Sequence, residues 1–158
     1  MKKSIFKGLS FGLTSGVITT LGLIVGLNAG THSQAIVIGG VMTIAIADSF
    51  SDAFGIHVSE EAEKENTKKQ VWMATIFTFV FKFLFAMSFL IPILLLPLTQ
   101  AIVASVIWGS LLLSAISIKI AKENKESVRK VVIEHNLIFI LVIVLTNYIG
   151  SLISLHLV

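Results

Sequence analysis

The chain has no cysteine, only two prolines and one tyrosine, and charged residues make up just 13% of its 158 positions. Each shortage narrows what the protein can be. Without cysteine there are no disulfides and no thiolate ligands, so any metal chemistry falls to carboxylate, imidazole, thioether or backbone oxygen. With Pro92 and Pro97 the only prolines, the other long apolar runs have no built-in breaker. So little charge beside 55% hydrophobic residues excludes an ordinary soluble domain. A phosphate-cradling glycine loop, a nucleophile elbow and a metalloprotease pattern are all missing, so an enzyme is not expected.

What is present is a series of apolar runs about twenty residues long, without the alternation of membrane-spanning strands. The sequence predicts an all-α integral membrane protein, a single domain over 1–158 with transmembrane helices at about 9–27, 35–58, 71–96, 101–118 and 137–158. The first run follows Lys2, Lys3 and Lys7 and is longer than the apolar core of a cleaved signal, so it reads as the first span. Eleven of the twelve Lys and Arg residues fall before span one, between spans two and three, or between spans four and five. The positive-inside rule therefore predicts a cytoplasmic N-terminus and an external or lumenal C-terminus. The net charge of +3 follows from this topology and implies no nucleic-acid partner.

Two helical patterns carry information. Gly8, Gly12, Gly16, Gly22, Gly26 and Gly30 share one face of the first span with Ser15 and Thr19. Small residues at that spacing predict close helix packing, within the subunit or across a dimer, with the lining of a substrate path as the alternative. In the second span, Asp48 and Asp52 interrupt an apolar run, four residues apart and about 40° apart on the wheel. An ionised side chain near the bilayer centre costs at least about 2.5 kcal/mol, so such acids mark a functional site by default. Gly55, Ser59 and Glu63 continue the same stripe, whereas His57 falls almost opposite and is expected as an interfacial imidazole.

Lys82, the twelfth basic residue, lies inside the third span. At about 1.5 Å per residue, Asp48 stands about 16 Å above Ser59, and Lys82 about the same distance above Val71. The three groups form either a structural ion pair or a site where lysine and acids exchange partners as a cation or protons pass. Two acids and one lysine leave a residual negative charge, which favours cation handling. Carboxylate oxygens suit hard or borderline ions such as Mn²⁺ and Fe²⁺, and a thioether from Met42 or Met87 would shift the preference to softer ones. Glu60, Glu61, Glu63 and Glu65 read either as a cation-collecting patch or, with Lys64, Lys68 and Lys69 interleaved, as a solvated helix end.

The run Gly12-Leu13-Thr14-Ser15-Gly16-Val17-Ile18-Thr19-Thr20-Leu21-Gly22-Leu23-Ile24-Val25-Gly26 resembles the first-span signature of the vacuolar iron transporter family. Ala47-Asp48-Ser49-Phe50-Ser51-Asp52-Ala53-Phe54-Gly55 with Val58-Ser59 resembles its second, and Phe89-Leu90-Ile91-Pro92 and Thr146-Asn147-Tyr148-Ile149-Gly150 are weaker echoes. The resemblance implies a homodimer that exports divalent iron or manganese from the cytoplasm by proton antiport along a path between subunits. Members usually carry an acid where this chain has Ser15, a methionine where it has Asp52 and an acid where it has Ile56, and many hold a cytoplasmic metal-binding insert that is missing here. Lys82 has no counterpart in the pattern.

The expected metal ligands are Asp48 and Asp52, with Ser15, Ser59, Lys82, Glu63 and Met42 as secondary polar or path residues. No permanently bound cofactor is expected; Fe²⁺ or Mn²⁺ is cargo, the partners are protons, lipids and a second copy, and the location is a prokaryotic plasma membrane. The alternative is a non-transporting membrane scaffold or partner-binding subunit in which the acids and Lys82 form a structural network.

Overall fold

A computed structural model describes residues 2–156, so positions 157 and 158 of the expected fifth span lie outside the described residues. The described residues form six helices: α1 (Lys2–Thr31), α2 (Gln34–Ala62), α3 (Lys68–Ser88), α4 (Leu90–Leu95), α5 (Leu98–Asn124) and α6 (Val128–His156). Among the described residues there is no strand. With α3 and α4 counted as one, five helices are long and apolar enough to cross a membrane. Helices satisfy their own backbone, which a bilayer requires of any spanning segment.

The helices run past the apolar stretches. The polar segment after Ile118 is not a long loop: α5 continues to Asn124 and α6 begins at Val128, since lysine and glutamate are good helix formers once the chain leaves lipid. The chain reverses with Lys125 in the left-handed conformation, φ 58°, its N–H donating to the carbonyls of Ala121 and Lys122. Ser33 caps α2 through the Ile36 N–H, and Thr67 and Gln70 form a reciprocal capping box that starts α3. Pro92 lies just beyond the break at Phe89, because a proline there cannot donate to the Ser88 carbonyl and its ring crowds it.

The bundle is arranged around α1, which touches α2, α3, α5 and α6. Its glycine face is divided between two neighbours. A Cβ on Gly8 or Gly12 would meet α3 backbone at 2.8 Å, at Thr78 N and Thr78 O respectively. Gly22, Gly26 and Gly30 instead face Val142, Thr146 and Gly150 of α6. The stripe expected to pack closely does so inside the subunit, where backbone approach supplies the dispersion contacts that drive association in lipid. Val17, Leu21, Val41, Ile93, Leu113 and Phe139 are fully buried in the core beside it. The outer faces of α2 and α6 carry exposed apolar side chains, among them Phe50, Phe54, Leu141 and Val144, as a surface facing lipid or another chain does.

Candidate cation site inside the bundle

Lys82 reaches the acids because two glycines let α1 and α3 meet. A Cβ on Gly12 would lie 2.9 Å from Lys82 N, and one on Gly16 would lie 3.1 Å from Lys82 O and 3.3 Å from its Cγ. The lysine stem therefore runs past α1 at the Gly16 gap, and its side chain is only 2% exposed. Nζ sits 2.5 Å from Asp48 Oδ2, pairs with Asp52 Oδ2, and donates to Ser15 Oγ at 2.9 Å. Those three partners match the three N–H donors of an ammonium.

The hydroxyls of α1 complete the inner shell. Ser15 Oγ donates to Asp52 Oδ2 at 2.6 Å. Thr19 Oγ1 lies 2.8 Å from Asp48 Oδ2 and 2.9 Å from Ser15 O, so its single proton is shared between them. Every contact made to the two carboxylates falls on an Oδ2 atom. Neither Oδ1 has a hydrogen-bond partner among the described residues, and the Asp48 and Asp52 side chains are 25% and 21% exposed. Each carboxylate thus keeps one oxygen held inward and one free outward.

The remaining expected residues lie elsewhere. Met42 is on the exposed side of α2, 48% accessible. Ser59 is exposed, and Glu63 lies at the end of α2, 3.6 Å from Lys7 Nζ and accepting from Asn66 Nδ2 at 3.3 Å. Lys7 also pairs with Glu60, which is turned inward at 4% exposure, so half of the glutamate cluster serves to tie α1 to the end of α2. His57 is away from the acids, as its wheel position requires, with Nδ1 3.0 Å from Thr75 Oγ1. Thr19 is the site residue that the sequence reading did not assign; its position four after Ser15, on the face toward the acids, was the available signal. Among the described residues no group of three or more acidic or imidazole side chains gathers, so one chain offers a cation two carboxylates and two hydroxyls.

Above the cluster an apolar groove of about 430 Å³ runs between α1, α2 and α6, lined by Gly22, Gly26, Ile44, Thr146 and Gly150 and reaching down to Thr19. The acids themselves do not line it. The groove and the cluster thus share one hydroxyl, the one held against Asp48.

No curated protein and no solved structure matches the chain. The model of the VIT family matches residues 7–72, a stretch that contains most of α1, all of α2 and therefore Ser15, Thr19, Asp48 and Asp52. Over its first two spans, less than half of its length, the chain is similar to the VIT family, a family of membrane metal-ion transporters.

Proposed function

We propose that this chain is a homodimeric exporter of divalent iron or manganese, driven by proton antiport, with its N-terminus in the cytoplasm of a prokaryotic cell and its C-terminus outside. One observation carries the reading: in a chain whose first two spans match the VIT family, two carboxylates halfway along a spanning helix each keep an oxygen accessible while Lys82 neutralises only one of them. The residual negative charge is what a passing cation or proton compensates. The metal is cargo, so no resident cofactor is required. Oxygen donors from Asp48, Asp52, Ser15 and Thr19 fit a hard or borderline ion, and Lys82 is the counter-charge that holds the acids between passages.

Two carboxylates are too few for a divalent ion's shell, and a second copy supplies the rest. The outward face of α2 supports such pairing: Gly39, Thr43, Ala47, Ser51, Gly55 and Ser59 recur every four residues and are all exposed, and nothing lies within 4 Å of a Cβ placed at Gly39 or Gly55. That is the close-approach pattern of α1 without its partner. The turn between α2 and α3 spans only residues 63–67, too short for the metal-collecting insert of many relatives.

A second reading, a scaffold with a structural charge network, is favoured by Lys82 pairing with both acids and donating to Ser15 inside the subunit. Flux in sealed vesicles separates them. The wild type is expected to move Mn²⁺ or Fe²⁺ with opposite proton movement, and Asp48→Asn with Asp52→Asn, combined with Lys82→Met so that no buried ammonium is left unpaired, to fall to background while remaining folded. Wild-type vesicles silent across a panel of divalent ions would support the scaffold, and full flux in the triple variant would remove the acids from the path.

A further inference from the structure

The ends of α2 and α3 frame a cleft that the cation path does not use. Its inner part, about 360 Å³, is apolar and lined by Phe50, Phe54, Ile76 and Phe79 together with His57 and Trp72. Its outer part, about 410 Å³, shares His57 and Trp72 and adds Glu61, Asn66 and Lys68. The two form one amphipathic slot at the level where the apolar spans give way to charged residues.

The polar part is unusual in what it leaves open. Glu61 and Lys68 have opposite charges and line the same cavity, yet among the described residues neither takes part in an ion pair or a side-chain hydrogen bond. The neighbouring donor is already used, since Asn66 Nδ2 donates to Glu60 and Glu63. Thr75 donates its hydroxyl proton to Val71 O at 2.9 Å, so it accepts from His57 Nδ1, and the imidazole is fixed as part of the wall. Trp72 meets His57 edge-on at 4.7 Å and is 57% exposed, its indole N–H having no partner among the described residues. An amphipathic ring with a free N–H suits the head-group level of a bilayer.

Two unpaired opposite charges that share a cavity without closing on each other select a ligand that carries both signs. We propose that this slot binds a glycerophospholipid with a phosphoethanolamine head, its primary ammonium donating to Glu61, its phosphate accepting from Lys68 and the Trp72 N–H, and one acyl chain lying against Phe50, Phe54 and Phe79. A primary ammonium is specified because a carboxylate takes N–H donors, and a single indole is not the aromatic cage that a quaternary ammonium requires. A purely anionic head group satisfies Lys68 and is repelled by Glu61.

The test uses the full chain in nanodiscs of mixed phosphatidylethanolamine, phosphatidylcholine and phosphatidylglycerol, released into native mass spectrometry to count retained lipids. Phosphatidylethanolamine is expected to be retained about fivefold over either competitor, the selectivity that one partly exposed charge pair supports. Glu61→Gln is expected to shift retention toward phosphatidylglycerol, and Lys68→Gln to remove the preference for phosphatidylethanolamine over phosphatidylcholine. Both positions are exposed, so unchanged thermal midpoints accompany these shifts. Equal retention of the three lipids by the wild type, a wild-type preference for another of them, or a preference that survives both substitutions overturns the proposal.

Discussion

Two polar seams run through this apolar bundle, and they are built on opposite plans. Between α5 and α6 the groups are neutral and matched: Ser110 Oγ donates to Asn136 Oδ1 at 2.7 Å, Asn136 Nδ2 donates to Ser114 Oγ at 3.1 Å, and Ser117 Oγ lies 2.7 Å from His135 Nδ1. Between α1, α2 and α3 the groups are charged, and the outward carboxylate oxygens are unmatched. A neutral ladder holds helices together and asks for nothing more. A charged cluster that is only half satisfied is costly to keep in a membrane, and it persists where something else completes it.

The strongest way to break the comparison is Lys82→Met. It leaves Asp48 and Asp52 facing each other on one helix without a counter-charge, and is expected to cost about 3 kcal/mol, the scale for removing one partner of a buried ion pair. Unfolding in detergent measures it. Adding Asp48→Asn and Asp52→Asn to Lys82→Met is expected to return most of that loss, because the stranded charge is gone. Equal stability of Lys82→Met and wild type would show that the ammonium does not compensate the acids.

The charged seam was partly legible from residue order alone. Depth arithmetic puts Asp48 and Lys82 at one level, and in the structure their side chains meet. The wheel places His57 away from the acids, and Thr75 and Trp72 receive it instead. What residue order could not supply is partner identity. A stripe of glycines says that something approaches closely but not what, and here the same stripe serves α3 through Gly8, Gly12 and Gly16 and α6 through Gly22, Gly26 and Gly30. The role of Thr19 was hidden for the same reason, since a hydroxyl one turn from Ser15 acquires meaning only when α2 is laid across it. The neutral seam was less legible still, because Ser110, Ser114 and Asn136 look like ordinary small or polar residues until two helices are aligned.

An intermediate effect is expected where the inner shell is trimmed without removing charge. Thr19→Val keeps the shape and removes the hydroxyl that donates to Asp48 Oδ2. Loss of one hydrogen bond to a charged group corresponds to about 1.5 kcal/mol. If Thr19 also orients Asp48 for cargo, metal flux half-saturates at about tenfold higher concentration, the lower end of what losing a ligand's hydrogen-bond partner does. Flux measured over a metal titration checks this, and a stability loss with unchanged half-saturation would make Thr19 purely structural.

The smallest effect tests the neutral seam. Asn136→Leu removes the amide that bridges Ser110 and Ser114 and that also donates to Val132 O at 2.9 Å. In water, breaking such a network would strand buried hydroxyls, but in a membrane the serines can turn to carbonyls of their own helix, as Ser117 does to Leu113 O at 2.5 Å. The expected cost is therefore only about 0.6 kcal/mol, the average for interhelical hydrogen bonds in lipid. Metal flux is expected to stay at the wild-type level, because no charge changes and α6 meets α1 through glycine backbone above this seam. Flux lost in Asn136→Leu at preserved stability would mean that the α5–α6 seam moves during transport, and the distinction between a holding seam and a working one would fail.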